Sequence, residues 1–267
     1  MPRLAVIGHP VAHSRSPAMQ NAALAELGLE GEWSYEAIDV APEALAARVG
    51  TMAVTEYAGA NVTVPHKEAA LDLADAPSEV AREIGAANTL TFVDGAVRAH
   101  NTDADGFLAA LPGSPRGQRA LVLGAGGAAR AVVWALEREG AEVEVWNRTA
   151  ERAERLCGEL GGTPVAAPDQ SAYGLIVNTS AAGLGGEDPF PHLPLDGERF
   201  AAAQTVVDMV YGEAPSPLLV AAAAAGARTV DGIEVLVQQG ALSLRIWTGR
   251  QPPLAAMRTA AYSLGPR

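Results

Sequence analysis

Arg119-Ala-Leu-Val-Leu123-Gly124-Ala125-Gly126-Gly127-Ala128-Ala129 is the stretch that decides the fold. Arg119 to Leu123, apolar from Ala120 on, predicts a buried strand. Glycines follow in the spacing G-x-G-x-x-A, and residues 128–139 read as a helix stopped by Gly140. The first glycine permits a tight turn, the second lets the backbone approach a pyrophosphate, and the small third position lets helix and strand close up. The helix start then offers N–H groups and a positive dipole end to phosphate. Glu142 to Trp146 is the next strand, completing a βαβ unit of about 30 residues. The context predicts a doubly wound dinucleotide-binding domain.

The end of that next strand indicates which dinucleotide. NAD sites carry Asp or Glu there to hold the ribose 2′-hydroxyl. Here the run is Val145-Trp146-Asn147-Arg148-Thr149, with Arg152 one helical turn on. An acid is missing, and two guanidinium forks that suit a phosphate are in place. NADP(H) is the expected cofactor. The competing reading makes Arg148 and Arg152 ordinary exposed residues paired with Glu151 or Glu154.

Working outward, further strands are predicted at 174–178, 205–210 and 227–230, with helices at 151–160, 216–225 and about 233–247. Before the turn-rich residues 112–118, strands are predicted at 3–8, 33–40 and 59–64, the last halted by Pro65. Ser16-Pro17 reads as the start of a helix capped by Ser16. Helices follow at 42–49, 67–74 and 78–84, then a hairpin over 88–99 with Asp94-Gly95 as its turn. Strands alternating with helices predict an α/β fold. The expected division is a substrate domain over 1–101, joined by helices from 240–267, and a Rossmann-type domain over 102–239.

The bulk numbers narrow the function. The 267 residues are 49% hydrophobic and 19% charged, suited to one large or two medium globular domains. A net charge of −12 argues against nonspecific nucleic-acid binding. No apolar stretch reaches the ~18 residues of a membrane span, and the run at 4–7 is too short for a signal peptide. A single cysteine, Cys157, excludes an internal disulfide framework and a multi-cysteine metal site, and fits a reduced cytoplasmic setting. A small-molecule substrate is expected, with no nucleic acid, membrane or metal. The sequence leaves the oligomeric state open, a homodimer included.

Of nineteen basic residues, Lys67 is the one lysine. Arg stays charged, whereas an ammonium can give up its proton in suitable surroundings. Around it, polar residues gather at predicted strand ends: Ser14 and Ser16; Asn61, Thr63 and Lys67; Asn88; Asn101, Thr102 and Asp103. In open α/β sheets ligands bind beyond the carboxyl ends of strands. Hydroxyls, amides, one Lys and one Asp suit a small, hydroxyl-rich, anionic ligand. Each residue alone has a plainer reading; Thr102 or Asp103 could merely cap a helix beginning near Ala104. Beside a nicotinamide cofactor they point to redox chemistry on an alcohol or ketone, with Lys67 as general acid or base.

These residues fall in an order that resembles the shikimate dehydrogenases. The similar stretches are Gly8-x-Pro10-x-x-His13-Ser14-x-Ser16-Pro17 with Asn21, Asn61-Val-Thr63-Val-Pro65-His-Lys67, Gly85-Ala-Ala-Asn88-Thr89 and Asn101-Thr102-Asp103-x-x-Gly106. The Gly124 loop, Asn147-Arg148-Thr149, Asn178-Thr-Ser180, Asp208-Met209-Val-Tyr211 and Gly232-x-x-x-Leu236-x-x-Gln239 continue it across almost the whole chain. The resemblance implies two α/β domains with the active site in the cleft between them, and NADPH-dependent reduction of 3-dehydroshikimate to shikimate in aromatic amino-acid biosynthesis. It implies that Ser14 and Ser16 hold the substrate carboxylate. Asn61, Thr63, Asn88, Tyr211 and Gln239 contact the ring hydroxyls and the surrounding pocket, and Lys67 and Asp103 form the catalytic pair. Gly124, Ala125, Gly126, Gly127, Ala128, Asn147, Arg148, Thr149, Arg152, Met209 and Gly232 line the cofactor.

The chain departs from the family pattern at Gln20, where His is frequent, at Leu184 for Met, and at Gly240 for Ala. Three alternatives compete. A quinate/shikimate dehydrogenase using NAD would want an acid where Arg148 stands. A non-catalytic cofactor-binding regulator would have no need of Lys67 and Asp103. A methylene-tetrahydrofolate-type dehydrogenase would not need the Ser14/Ser16 and Asn101–Asp103 clusters.

Overall fold

A computed structural model describes residues 2–212 and 214–263. Met1, and residues 264–267 of the expected C-terminal segment, lie outside it. The chain forms two compact units, Met1–Gly106 with Leu236–Arg267, and Phe107–Val235. The cuts expected at 101/102 and 239/240 would have set Asp103 and Gln239 in the nucleotide domain. Both instead belong to the first unit, because the division falls inside two helices rather than in loops.

The first unit runs β1 (Arg3–Gly8), α1 (Ser16–Glu26), β2 (Ser34–Asp39), α2 (Leu45–Ala53), β3 (Tyr57–Val62), α3 (Lys67–Asp72), β4 (Ala76–Pro77), α4 (Glu79–Ile84), β5 (Thr89–Val93) and β6 (Ala96–His100). α5 (Asp103–Ala110) then crosses the division. The sheet order is β2-β1-β3-β5-β6-β4. β1 pairs parallel with β2 and β3, while β5 pairs antiparallel with both β3 and β6. The reversal at β5–β6 comes from the Asp94-Gly95 turn, whose φ values of 52° and 80° suit a tight hairpin. Ala5, Ile7, Ala60, Val62 and Leu90 of the strands bury against Leu45, Val49 and Met52 of α2. Each fully buried large apolar side chain contributes about 1.5–3 kcal/mol. Ser16 does not cap α1: Arg15 holds the cap position, and no side chain caps that helix. Pro17 at the first turn sets the helical φ without needing a donor.

The second unit continues with β7 (Arg119–Leu123), α6 (Gly127–Glu139), β8 (Glu142–Trp146), α7 (Ala150–Leu160), β9 (Thr163–Pro164), β10 (Leu175–Asn178), β11 (Thr205–Asp208), α8 (Pro217–Ala224) and β12 (Arg228–Asp231). Its sheet is parallel throughout, in the order β12-β11-β10-β7-β8-β9. Numbered from β7, this is the 3-2-1-4-5-6 order of the doubly wound dinucleotide fold, with its switch point between β7 and β10. Residues 120–123 and 175–178 are buried without alternation, as in a sheet covered on both faces. α9 (Gly232–Thr248) follows, its residues from Leu236 belonging to the first unit, and α10 (Leu254–Tyr262) contacts α1.

Candidate active site

Lys67 is the first residue of α3. The chain leaves β3, turns through Pro65, and is anchored by buried His66, whose Nε2 lies 2.6 Å from the Val40 carbonyl oxygen. That carbonyl only accepts, so Nε2 carries the proton. Lys67 Nζ donates to Asp103 Oδ2 at 2.7 Å, with the two side chains 12% and 6% exposed. Asp103 opens α5 but is not its cap. Asn101 Oδ1 accepts the N–H groups of Asp103 and Ala104 at 3.0 and 3.3 Å. This leaves both oxygens of Asp103 for side chains, and Oδ1 accepts from Asn88 Nδ2 at 2.9 Å.

The amide orientations around this pair are fixed by backbone groups of one polarity. The Thr102 N–H donates to Asn88 Oδ1 at 2.7 Å, so Nδ2 must face Asp103, Thr102 Oγ1 and Gln239 Oε1, the last two at 2.9 and 3.0 Å. Asn61 Nδ2 donates to the Asn88 carbonyl at 3.2 Å, so Asn61 Oδ1 accepts from Tyr35 at 2.7 Å. Asn61, Asn88, Gln239, Lys67 and Asp103 thus form one buried network in the first unit. Tyr35, Thr89 and Ser243 complete it without having been assigned to the site from sequence. The available signal for Ser243 is its place four residues after Gln239, on the same face of α9.

Ser14 lies just ahead of α1 and Ser16 is its first residue, with Ser14 Oγ accepting the Ser16 N–H at 3.3 Å. Thr63 follows β3, and its methyl faces Gly8 so closely that a Cβ there would meet it at 2.4 Å. Among the described residues, none of these three hydrogen-bonds to the network around Lys67. Tyr211 follows β11 and lies on the second unit, partly buried.

In the second unit, Gly124 has φ +117° and a Cβ there would meet Thr179 Oγ1 at 2.6 Å, so the turn demands glycine. Gly126 caps α6, no side chain caps that helix, and a Cβ on Gly126 would meet nothing within 4 Å. Ala125, Gly127 and Ala128 complete this bare helix start, where a phosphate can reach N–H groups. At the end of β8, Asn147 Nδ2 donates to the Thr149 carbonyl at 2.8 Å. Arg148 and Arg152 are exposed, and among the described residues neither forms an ion pair, with Glu151, Glu154 or any other acid. Met209 and Gly232 touch: a Cβ on Gly232 would lie 2.5 Å from the Met209 carbonyl oxygen. Beneath them Asp208 is fully buried and accepts from Asn178, the Val210 N–H and Ser216. Burial raises its pKa, outweighing those donors.

Three family models match: the shikimate dehydrogenase substrate binding domain over residues 6–90, shikimate / quinate 5-dehydrogenase over 109–178, and the shikimate 5′-dehydrogenase C-terminal domain over 232–262. The chain is 47% identical to a shikimate dehydrogenase (NADP(+)) of Thermus thermophilus, covering 98% of both chains. It is 46% identical to the protein of that name from Anaeromyxobacter sp. Fw109-5, covering 97% of this chain and 95% of the other. The crystal structure of a Thermus thermophilus shikimate 5-dehydrogenase in complex with NADP(H) and shikimate superposes with a TM-score of 0.89, at 45% identity over 98% of both chains. The chain belongs to the shikimate dehydrogenase family. As a shikimate dehydrogenase it carries a parallel nucleotide-binding sheet and a separate α/β unit that holds the Lys67 network. The bare start of α6, the forced glycine at 124 and the unpaired guanidinium groups of Arg148 and Arg152 fit a dinucleotide bearing a 2′-phosphate. Among the described residues no cluster of acidic, His or Cys side chains could hold a metal ion, and no helix is long and apolar enough to cross a membrane.

Proposed function

We propose that this protein reversibly reduces 3-dehydroshikimate to shikimate with NADPH, serving aromatic amino-acid biosynthesis. The observation that carries the reading is the buried Lys67–Asp103 pair, set among amides and hydroxyls in a chain whose relatives bear that activity in their names. When bound, NADPH supplies a hydride to the carbonyl carbon, and the carbonyl oxygen then needs a proton. Lys67 gives that proton, and takes it back in the oxidation direction. Asp103 holds the ammonium in place, and Asn88 orients Asp103. Asn61, Asn88 and Gln239 present amide groups to the ring hydroxyls, with Thr63 and Tyr211 completing the contacts. Ser14 and Ser16 receive the substrate carboxylate with their hydroxyls, and the positive end of the α1 dipole favours an anion there. Gly124 to Ala128 receive the pyrophosphate, Arg148, Thr149 and Arg152 with Asn147 the 2′-phosphoribose, and Met209 and Gly232 flank the nicotinamide.

One spectrophotometric experiment tests this. Purified protein is mixed with shikimate or quinate, and with NADP or NAD, and reduced nicotinamide is followed. Turnover with shikimate and NADP should far exceed the other three pairings. No turnover with shikimate overturns the reading, and preference for quinate with NAD replaces it by the quinate alternative. The single free cysteine, Cys157, supports a cytoplasmic setting. Light scattering distinguishes a homodimer from a monomer.

A further inference from the structure

We infer that Ser243 is a positioning residue for substrate recognition, acting through Asn61 and Gln239 without touching the substrate. The inference rests on the activity proposed above. Ser243 is fully buried on α9. Its Oγ accepts from Asn61 Nδ2 at 2.8 Å, and it donates its own proton back to the Gln239 carbonyl at 3.1 Å. It also lies 2.9 Å from Thr89 Oγ1 and 3.2 Å from Thr102 Oγ1, so three hydroxyls form a closed triangle.

The direction of hydrogen bonding gives this triangle its purpose. Asn61 Nδ2 and Asn88 Nδ2 donate into it, at Ser243, Thr89 and Thr102. Further acceptors surround its hydroxyls: the Gln239 carbonyl within reach of Ser243, and Asn88 Oδ1 within reach of Thr89 and Thr102. Ser243 is the member that joins the strand side of the network, Asn61 on β3, to the helix side, Gln239 on α9. Its own backbone bond reaches back one turn, so the Gln239 backbone and the Asn61 amide are tied through a single oxygen. Removing that oxygen takes away the shortest of the three acceptors around Asn61 Nδ2 and leaves its two hydrogens to the Asn88 carbonyl and the Thr89 hydroxyl, each at 3.2 Å, a looser hold on a buried amide. The amide then turns or takes up water, and the contacts it offers a polyhydroxylated ring lose their alignment. Among the described residues, neither Lys67 nor Asp103 hydrogen-bonds to Ser243, so proton transfer itself is left intact.

Ser243→Ala and Tyr35→Phe test the inference, the second removing the donor that holds the other end of Asn61. Steady-state kinetics in the shikimate-oxidation direction are compared with the parent protein, together with thermal melting. Ser243→Ala should raise KM for shikimate about ten-fold, the size of one lost buried hydrogen bond. It should change kcat less than three-fold (roughly the lower end of the same range) and leave KM for NADP unchanged. Tyr35→Phe should show the same split, and the double variant should cost less than the product of the two, because both act on one amide. Unchanged KM for shikimate in soluble Ser243→Ala overturns the inference, as does an equal rise in KM for NADP, which marks general loosening. If Ser243→Ala is insoluble, the kinetics of Tyr35→Phe decide by the same criteria. A parent protein inactive on shikimate sinks the underlying activity instead, so the two failures are distinguishable.

Discussion

Lys67 Nζ donates to Asp103 Oδ2 at 2.7 Å while Asn88 Nδ2 occupies Asp103 Oδ1 at 2.9 Å, so the carboxylate is held from both sides and presents the ammonium in one place. A surface ion pair of this length would be worth little. This one is nearly sealed, and removing either partner strands a charge. The pair is therefore unsuited as a mere stabiliser and well suited to hold a proton at a defined point.

Lys67→Arg keeps the charge and the partner. Arg cannot give up its proton at neutral pH. General acid–base groups contribute about 10²–10⁴-fold to turnover, so kcat for shikimate oxidation should fall by about that factor. Circular dichroism and melting should stay near the parent values. A variant with near-parent kcat removes Lys67 from proton transfer.

Arg148 and Arg152 stand exposed at the end of β8 and the start of α7, without acidic partners among the described residues. A guanidinium–phosphate bond is charge-assisted, worth about 1.5–3 kcal/mol. Arg148→Ala or Arg152→Ala should raise KM for NADP by about ten-fold or more while leaving KM for NAD nearly unchanged. Equal losses with both cofactors would show that the arginines do not read the 2′-phosphate.

The legible parts of this chain are those written in local signals. The turn at Gly124, the hairpin at Asp94-Gly95 and the helix stop at Gly140 each need a backbone conformation that few residues adopt, and the φ values agree. Lys67 and Asp103 are legible because their types are conspicuous. Ser243 and Tyr35 are not: their importance arises from register, β2 against β1 and α9 against β3 and β5, which no local pattern encodes. The place of Asp103 and Gln239 in the first unit escapes the sequence for the same reason, since α5 and α9 are continuous across the division. The capping of α5 by Asn101 rather than Thr102 or Asp103 depends on a one-residue offset that composition leaves open.

Gly106 carries a further consequence of that packing. A Cβ there would lie 2.6 Å from the Gln239 backbone nitrogen and 2.7 Å from its Cα, so α5 and α9 meet backbone to backbone. The obstacle is main chain and cannot swing aside. Gly106→Ala should cost about 1–3 kcal/mol of stability as an overpacking change, against about 1 kcal/mol gained in helix propensity. Because the displaced residue is Gln239, KM for shikimate should rise in the same variant. A rise in melting temperature with unchanged KM would show that the helices separate without disturbing the site.

Asp208 gives a pH-dependent prediction. Its folded pKa is raised by burial above the unfolded value of about 3.9. The native state therefore keeps a proton that the unfolded chain has lost, and stability falls as pH rises from near 4 through the raised folded value. Asn at this position cannot ionise. Its Oδ1 can still accept from Asn178 and the Val210 N–H, and its Nδ2 can donate to Ser216, which now bonds the carboxylate. Asp208→Asn should therefore gain stability relative to the parent protein as pH is raised from 4 to 7. Urea unfolding of both proteins across that interval measures the difference. A difference that stays constant with pH would mean that the carboxyl ionises as readily in the fold as in the unfolded chain, and that its three hydrogen bonds offset burial in full.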